Sequence, residues 1–216
     1  MLLRPCESTA RSRDFGWPCA GFCGAILGAE ADTTLCHLPI NDMRDLSSFA
    51  DIHTHRADAG ADAVISVEPG NQMRPDRWYS IGIHPWSTAE NIGEDMLNLL
   101  EDEARADNVV AIGECGLDAL RGAPLVRQEE IFKRHVAVSE ELGKPLIIHC
   151  VKAYDRLIAL RKQLKPRQRW IIHGFRGKPQ LASDLLRHGF DLSFGEKYNP
   201  DTYAAVPAGR RFRETD

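Results

Sequence analysis

Beyond residue 43 the chain alternates between short apolar runs rich in Ile and Val and longer segments in which apolar residues recur every three or four positions. The runs "FADIH", "AVISVEP", "YSIGIH", "VVAIGE", "PLIIHC", "RWIIHGF", "FDLSFG" and "RRFRET" predict eight strands. Most of them are apolar at consecutive positions, as parallel strands are when helices cover both faces. The helical period predicts helices over residues 94–106, 126–142, 153–164 and 179–188. Eight strands with interleaved helices predict an α/β protein with a TIM-like (β/α)8 barrel. The first three strands are joined by connections too short for a crossover helix, so the barrel is expected to be pared down in its first third. An open α/β sheet is the structural alternative.

Residues 1–42 differ in kind. They hold Cys6, Cys19, Cys23 and Cys36 and show no sustained period. Arg4, Arg11 and Arg13 precede an apolar stretch ending in "GAEA", as in a secretory signal, but Pro18 and several glycines interrupt it. Cys19, Cys23, Cys36 and His37 are too loosely spaced for a zinc knuckle. The expectation is a poorly ordered extension, with Met43 as the natural start and residues 43–216 as the barrel. A length of 216 residues suits one core, and the net charge of -4 excludes a uniformly basic nucleic-acid binder. No apolar run approaches the roughly 18 residues that span a bilayer, so a soluble, cytoplasmic protein without membrane association is expected.

Chemistry gathers where the strands end. "FADIH" runs into His53 and His55, which share a face by strand alternation. The later runs end on His84, Glu114, His149 and His173, and the chain reaches Asp216 after "RRFRET". Any one of these alone reads as a capped or half-buried structural residue. In a barrel, the carboxyl ends of the strands surround one cavity, and so many imidazoles and carboxylates there share a cause. The set suits one or two divalent ions such as Zn, Mn or Mg, with His53, His55, His149 and His173 giving nitrogen and Glu114 and Asp216 giving oxygen. Six ligands exceed one tetrahedral ion, so two ions are expected, with Glu114 placed to bridge them.

The motifs "DIHTH", "GIHPW", "AIGECGLD", "PLIIHCVKAYDRLI", "IIHGFRG", "LSFG" and "ETD" resemble those of the TatD family of metal-dependent hydrolases, especially its short members, from about Ser48 to Asp216. The resemblance implies a barrel of the amidohydrolase kind and a deoxyribonuclease or other phosphodiesterase acting through activated water. It implies that His53, His55, Glu114 and Asp216 hold one ion and Glu114, His149 and His173 the other, with Asp216 as general base. Members of the family continue past "ETD" into a loop and closing helix, which this sequence does not contain.

Charge distribution adds a substrate expectation. Basic residues crowd the stretch from Lys144 to Lys178, and acidic ones the stretch from Glu90 to Asp118. Most belong to solvated helix faces. Lys152 and Arg176 each follow a proposed ligand histidine by three residues, where they could engage phosphate, and His84 is a further candidate contact. DNA is the expected substrate, with no obligate protein partner. The rival readings are a C–N bond hydrolase or deaminase, against which Glu114 stands where a bridging modified lysine is common, and a non-catalytic relative. Cys115 and Cys150, each beside a ligand, are expected to pack outward without forming a disulfide.

Overall fold

A computed structural model describes residues 45–90 and 92–216; the expectations for residues 1–42 lie outside them. Eight strands lie in one sheet in chain order, each parallel to the next. They are β1 (Asp51–Thr54), β2 (Ala63–Val67), β3 (Trp78–Ile81), β4 (Val109–Asp118), β5 (Leu146–Val151), β6 (Trp170–Ile172), β7 (Phe190–Phe194) and β8 (Arg211–Arg213). Helices α1 (Glu94–Glu103), α2 (Leu125–Leu142), α3 (Tyr154–Leu164), α4 (Pro179–Arg187) and α5 (Pro200–Ala205) follow β3 to β7 in turn. No helix separates β1, β2 and β3 among the described residues, so the barrel is pared down where the short connections predict it. The four expected helices are present.

Closure brings β8 beside β1. The Thr215 amide donates to the His53 carbonyl at 3.3 Å, and the Thr215 hydroxyl reaches Asp51 and Thr54. Phe212 points into the barrel, and its burial helps hold so short a strand. The arrangement is a nearly closed TIM-like (β/α)8 barrel, and not an open sheet.

Strand residues alternate between two apolar layers. Ile147 and Ile171 join Phe49, Val64, Ala111 and Phe212 in a plug that fills the barrel. Leu146, Ile148, Trp170 and Ile172 face outward onto Leu100, Phe132, Leu157 and Leu185 of the helices. Each fully buried side chain of this size contributes about 1.5–3 kcal/mol relative to exposure. The plug is also the floor of the site, because alternation carries the inward face of Ile147 to His149 and that of Ile171 to His173.

Strand β4 breaks this rule where the chemistry needs it. Ala111 lies in the plug and Ile112 and Cys115 in the outer layer. The pairing register with β5 shifts between Ile112 and Cys115, which turns Glu114 inward three residues after Ala111. Gly113 sits at φ 138° within the shift, and a Cβ there would come within 2.3 Å of the Ile147 carbonyl oxygen. Cys115 and Cys150 are buried free thiols in the outer layer, and burial pushes the Cys150 thiol up to about 12.

Candidate metal centre

Glu114 is 4% exposed, and five imidazoles converge on its carboxylate. Its two oxygens serve different groups. Oε1 lies 2.8 Å from His149 Nδ1, 2.8 Å from His173 Nε2 and 2.9 Å from His84 Nε2. Oε2 lies 3.3 Å from His53 Nε2 and 3.2 Å from His55 Nε2. Burial alone would raise the Glu114 pKa, but the imidazoles of His149, His173, His53 and His55 crowded around the carboxylate hold it far below the usual carboxylate range. Asp216 flanks the second group, with Oδ1 3.4 Å from His55 Nε2 and 3.8 Å from His53 Nε2, and its side chain is 33% exposed.

The protonation pattern follows from these neighbours. Burial and the nearby His173 push His53 down, so it is neutral at pH 7. Burial also disfavours charge on His173, yet Glu114 and Glu214 outweigh it and raise that imidazole to about 10. The space between Glu114 and Glu214 therefore favours positive charge. His84 is fixed differently: its Nδ1 accepts the Trp86 amide proton at 3.1 Å, so the neutral ring carries its proton on Nε2 and donates to Glu114. That tautomer makes His84 a donor to the site and leaves no lone pair on Nε2 for a ligand role.

The residues fit a divalent ion. His53 is fully buried, and neither ring nitrogen has an aligned hydrogen-bond partner despite the 3.3 Å approach of Nε2 to Glu114. A buried imidazole without partners is costly, and a cation at the neutral nitrogen would satisfy it. Among the described residues four sets bring ligand atoms close enough to share an ion, and together they contain all six expected ligands: His53, Glu114 and His173; His53, His55 and Asp216; His84, Glu114 and His149, where His84 Nε2 carries its proton and the other two are the expected ligands; and His173, Glu214 and Asp216. Mixed imidazole and carboxylate donors suit a divalent metal ion.

Three carboxylates escaped the sequence reading. Asp118, at the end of β4, approaches His149 Nε2 at 3.3 Å and accepts the Trp86 indole proton at 2.7 Å. Contact with Asp118 on Nε2 fixes the orientation of the His149 ring, whose Nδ1 faces Glu114 at 2.8 Å. Glu214 is buried, accepts the Gly174 amide at 2.7 Å and the Ser193 hydroxyl at 2.6 Å, and lies 3.8 Å from His173 Nδ1. Glu68 accepts the Ser87 hydroxyl at 2.5 Å and the His84 amide at 3.2 Å.

A cavity of about 520 Å³ opens over the centre, walled by His55, Glu68, His84, Trp86, Glu114 and Asp216 among others. Arg176 lines an adjoining cavity of about 200 Å³ with Glu214 and Asp216. Lys152 is exposed at a left-handed turn, φ 50°, just past β5, and does not line either cavity.

A family model described as TatD related DNase matches residues 48–216. The chain is 32% identical over 149 residues to the 3'-5' ssDNA/RNA exonuclease TatD of Enterobacter lignolyticus, covering 64% of this chain and 57% of that protein. It is 37% identical over 156 residues to the protein of the same name from Edwardsiella piscicida, covering 67% and 60%. The chain thus spans less than two thirds of the length of these relatives. The crystal structure of YJJV, a TatD homologue from Escherichia coli, matches its fold with a TM-score of 0.66 at 21% identity over 80% of each chain. The family match takes in all eight strands and every side chain placed around Glu114, and the chain belongs to the TatD related DNase family.

Proposed function

We propose that the chain is a two-ion phosphodiesterase that removes nucleotides from single-stranded nucleic acid. The observation that carries this is the division of Glu114: Oε1 faces His149 and His173, while Oε2 faces His53 and His55. A carboxylate that offers one oxygen to each of two imidazole pairs has the form of a bridge. His53, His55, Glu114 and Asp216 would hold one ion and Glu114, His149 and His173 the other. Bound ions supply Lewis acidity, which lowers the pKa of water and neutralises charge on a phosphoryl group.

Asp216, at the rim and open to solvent, accepts the proton of the attacking water. As the new P–O bond forms, the bond to the leaving sugar oxygen breaks; His84, held with its proton on Nε2, offers that oxygen a hydrogen bond, and the proton taken up by Asp216 is passed to it through solvent. Asp118 and Glu214 keep His149 and His173 in orientation from behind. Arg176 contacts a non-bridging phosphate oxygen. The family and the exonuclease names of the relatives support nucleic acid as the substrate class.

Elemental analysis of the purified protein, with hydrolysis of single-stranded DNA and RNA compared in Mg²⁺, Mn²⁺ and Zn²⁺, tests the proposal. Two ions per chain and metal-restored cleavage after chelation are expected. One ion at saturation would remove the bridging role of Glu114, and metal-loaded protein that cleaves neither polymer would remove the substrate.

A further inference from the structure

The wall of the metal-site cavity contains an aromatic side chain that the proposed chemistry does not use. Trp86 is 46% exposed, and it stands beside the centre, with its ring centroid 4.8 Å from His84 and 5.9 Å from His149. A single apolar side chain left this open is ordinary on a protein surface and carries no argument by itself. Here it is neither loose nor isolated. The indole nitrogen donates to the buried Asp118 carboxylate at 2.7 Å. The other oxygen of Asp118 accepts the amides of Leu120 and Arg121 at 2.8 and 3.2 Å.

The loop behind the ring is equally fixed. Gln128, buried in α2, accepts the Asp118 amide at 2.7 Å and donates to the Arg121 and Ala123 carbonyls at 2.8 and 2.7 Å. Gly122 packs so closely on the Trp86 turn that a Cβ would come within 2.1 Å of the Pro85 oxygen. On this frame the Arg121 guanidinium lies 4.4 Å from the indole centroid. The cleft thus presents, next to His84 and His149, a braced π-surface with a cation on it. Ordering costs that a substrate would otherwise meet are already met by folding.

We propose that Trp86, with Arg121, is the nucleobase platform of the site, stacking the base of the nucleotide whose phosphate lies at the metal centre. The inference rests on the reading of the site as a nuclease and adds how the substrate is held. Stacking on an aromatic ring is sequence-tolerant because every base has a π-face, and the Arg121 charge suits the neighbouring phosphate. Trp86 takes no part in the proton transfers proposed for the site, so its contribution belongs to binding and positioning.

The test measures fluorescence anisotropy of cleavage-resistant, phosphorothioate-linked single-stranded oligonucleotides in Mn²⁺. One series carries a full set of bases and the other an abasic 3'-terminal residue. Wild type should bind the base-bearing form roughly tenfold more tightly, and in Trp86→Ala the ratio of the two affinities should fall to about one. Trp86→Phe should restore most of it, whereas Trp86→Leu, which keeps apolar volume if the alanine variant fails to fold, should not. On cleavable DNA, Trp86→Leu should raise KM with a smaller change in kcat. A preference retained in Trp86→Leu, or absent in wild type that still binds both oligonucleotides, overturns the platform and leaves the nuclease reading standing. Wild type that neither binds nor cleaves either oligonucleotide overturns both.

Discussion

His135 offers a measurement of how the barrel is pinned behind the metal centre. It is fully buried in α2, where Nδ1–H donates to the Ile131 carbonyl at 2.8 Å and Nε2 accepts the Ile83 amide at 2.9 Å, one residue before His84. Burial pushes its pKa from the ordinary 6.5 down to about 4. The native state therefore binds this proton less readily than the unfolded chain, and stability from the neutral ring is complete above pH 6.5 and lost as pH falls toward 4. At about 1.4 kcal/mol per unit, wild type should lose about 2 kcal/mol by pH 5 and about 3 kcal/mol by pH 4 from this group. His135→Gln, which keeps an acceptor for the Ile83 amide without a titrating ring, provides the reference. The metal-centre groups titrate in both proteins, so they cancel in the difference. Urea unfolding of both proteins at pH 7, 6, 5 and 4 should show the gap between them shifting in favour of the variant by that amount. Parallel curves would refute the account of His135 as a neutral, doubly bonded pin.

Glu114→Gln should lower metal content below that of wild type and cut hydrolysis by about a hundredfold or more, read by elemental analysis and single-turnover cleavage. Full stoichiometry with full activity would remove the shared carboxylate from the centre. Gly113→Ala places a Cβ 2.3 Å from the Ile147 oxygen at a φ that side chains avoid, so we expect a loss of about 3 kcal/mol in urea unfolding; an unchanged midpoint would mean that β4 relaxes freely. Arg176→Ala should raise KM for DNA at low salt while metal content stays fixed, with the difference shrinking as salt rises. Salt-independent kinetics equal to wild type would return Arg176 to the solvated surface.

The strands were legible because burial on both faces forces unbroken apolar runs, and helices at β3 and beyond because their single buried stripe forces a period. α5 was not: six residues, capped by Asn199 and opened by Pro200, are too few to show a period. The rule that strand ends carry the chemistry found His53, His55, His84, Glu114, His149 and His173, which meet in the structure. It also applied to Glu68, one residue past β2, and would have reached Asp118 had β4 not been read as ending at Glu114. What hid the true end of β4 is the register shift that turns Glu114 inward, since a run interrupted by Gly113 and Gly116 looks like a turn. The family resemblance singled out Asp216 and passed over Glu214, but the physical difference between the two is not visible in the sequence. They stand two residues apart, yet one is 4% exposed and bonded to Gly174 and Ser193, and the other opens to solvent beside His55. A carboxylate locked by two protein donors can orient a ligand but has little freedom to take and release a proton, whereas one at the rim can exchange protons with water. Two acids so close in the chain thus differ in their freedom to exchange a proton because of what their oxygens already hold, a property of the packed barrel and not of any local stretch of chain.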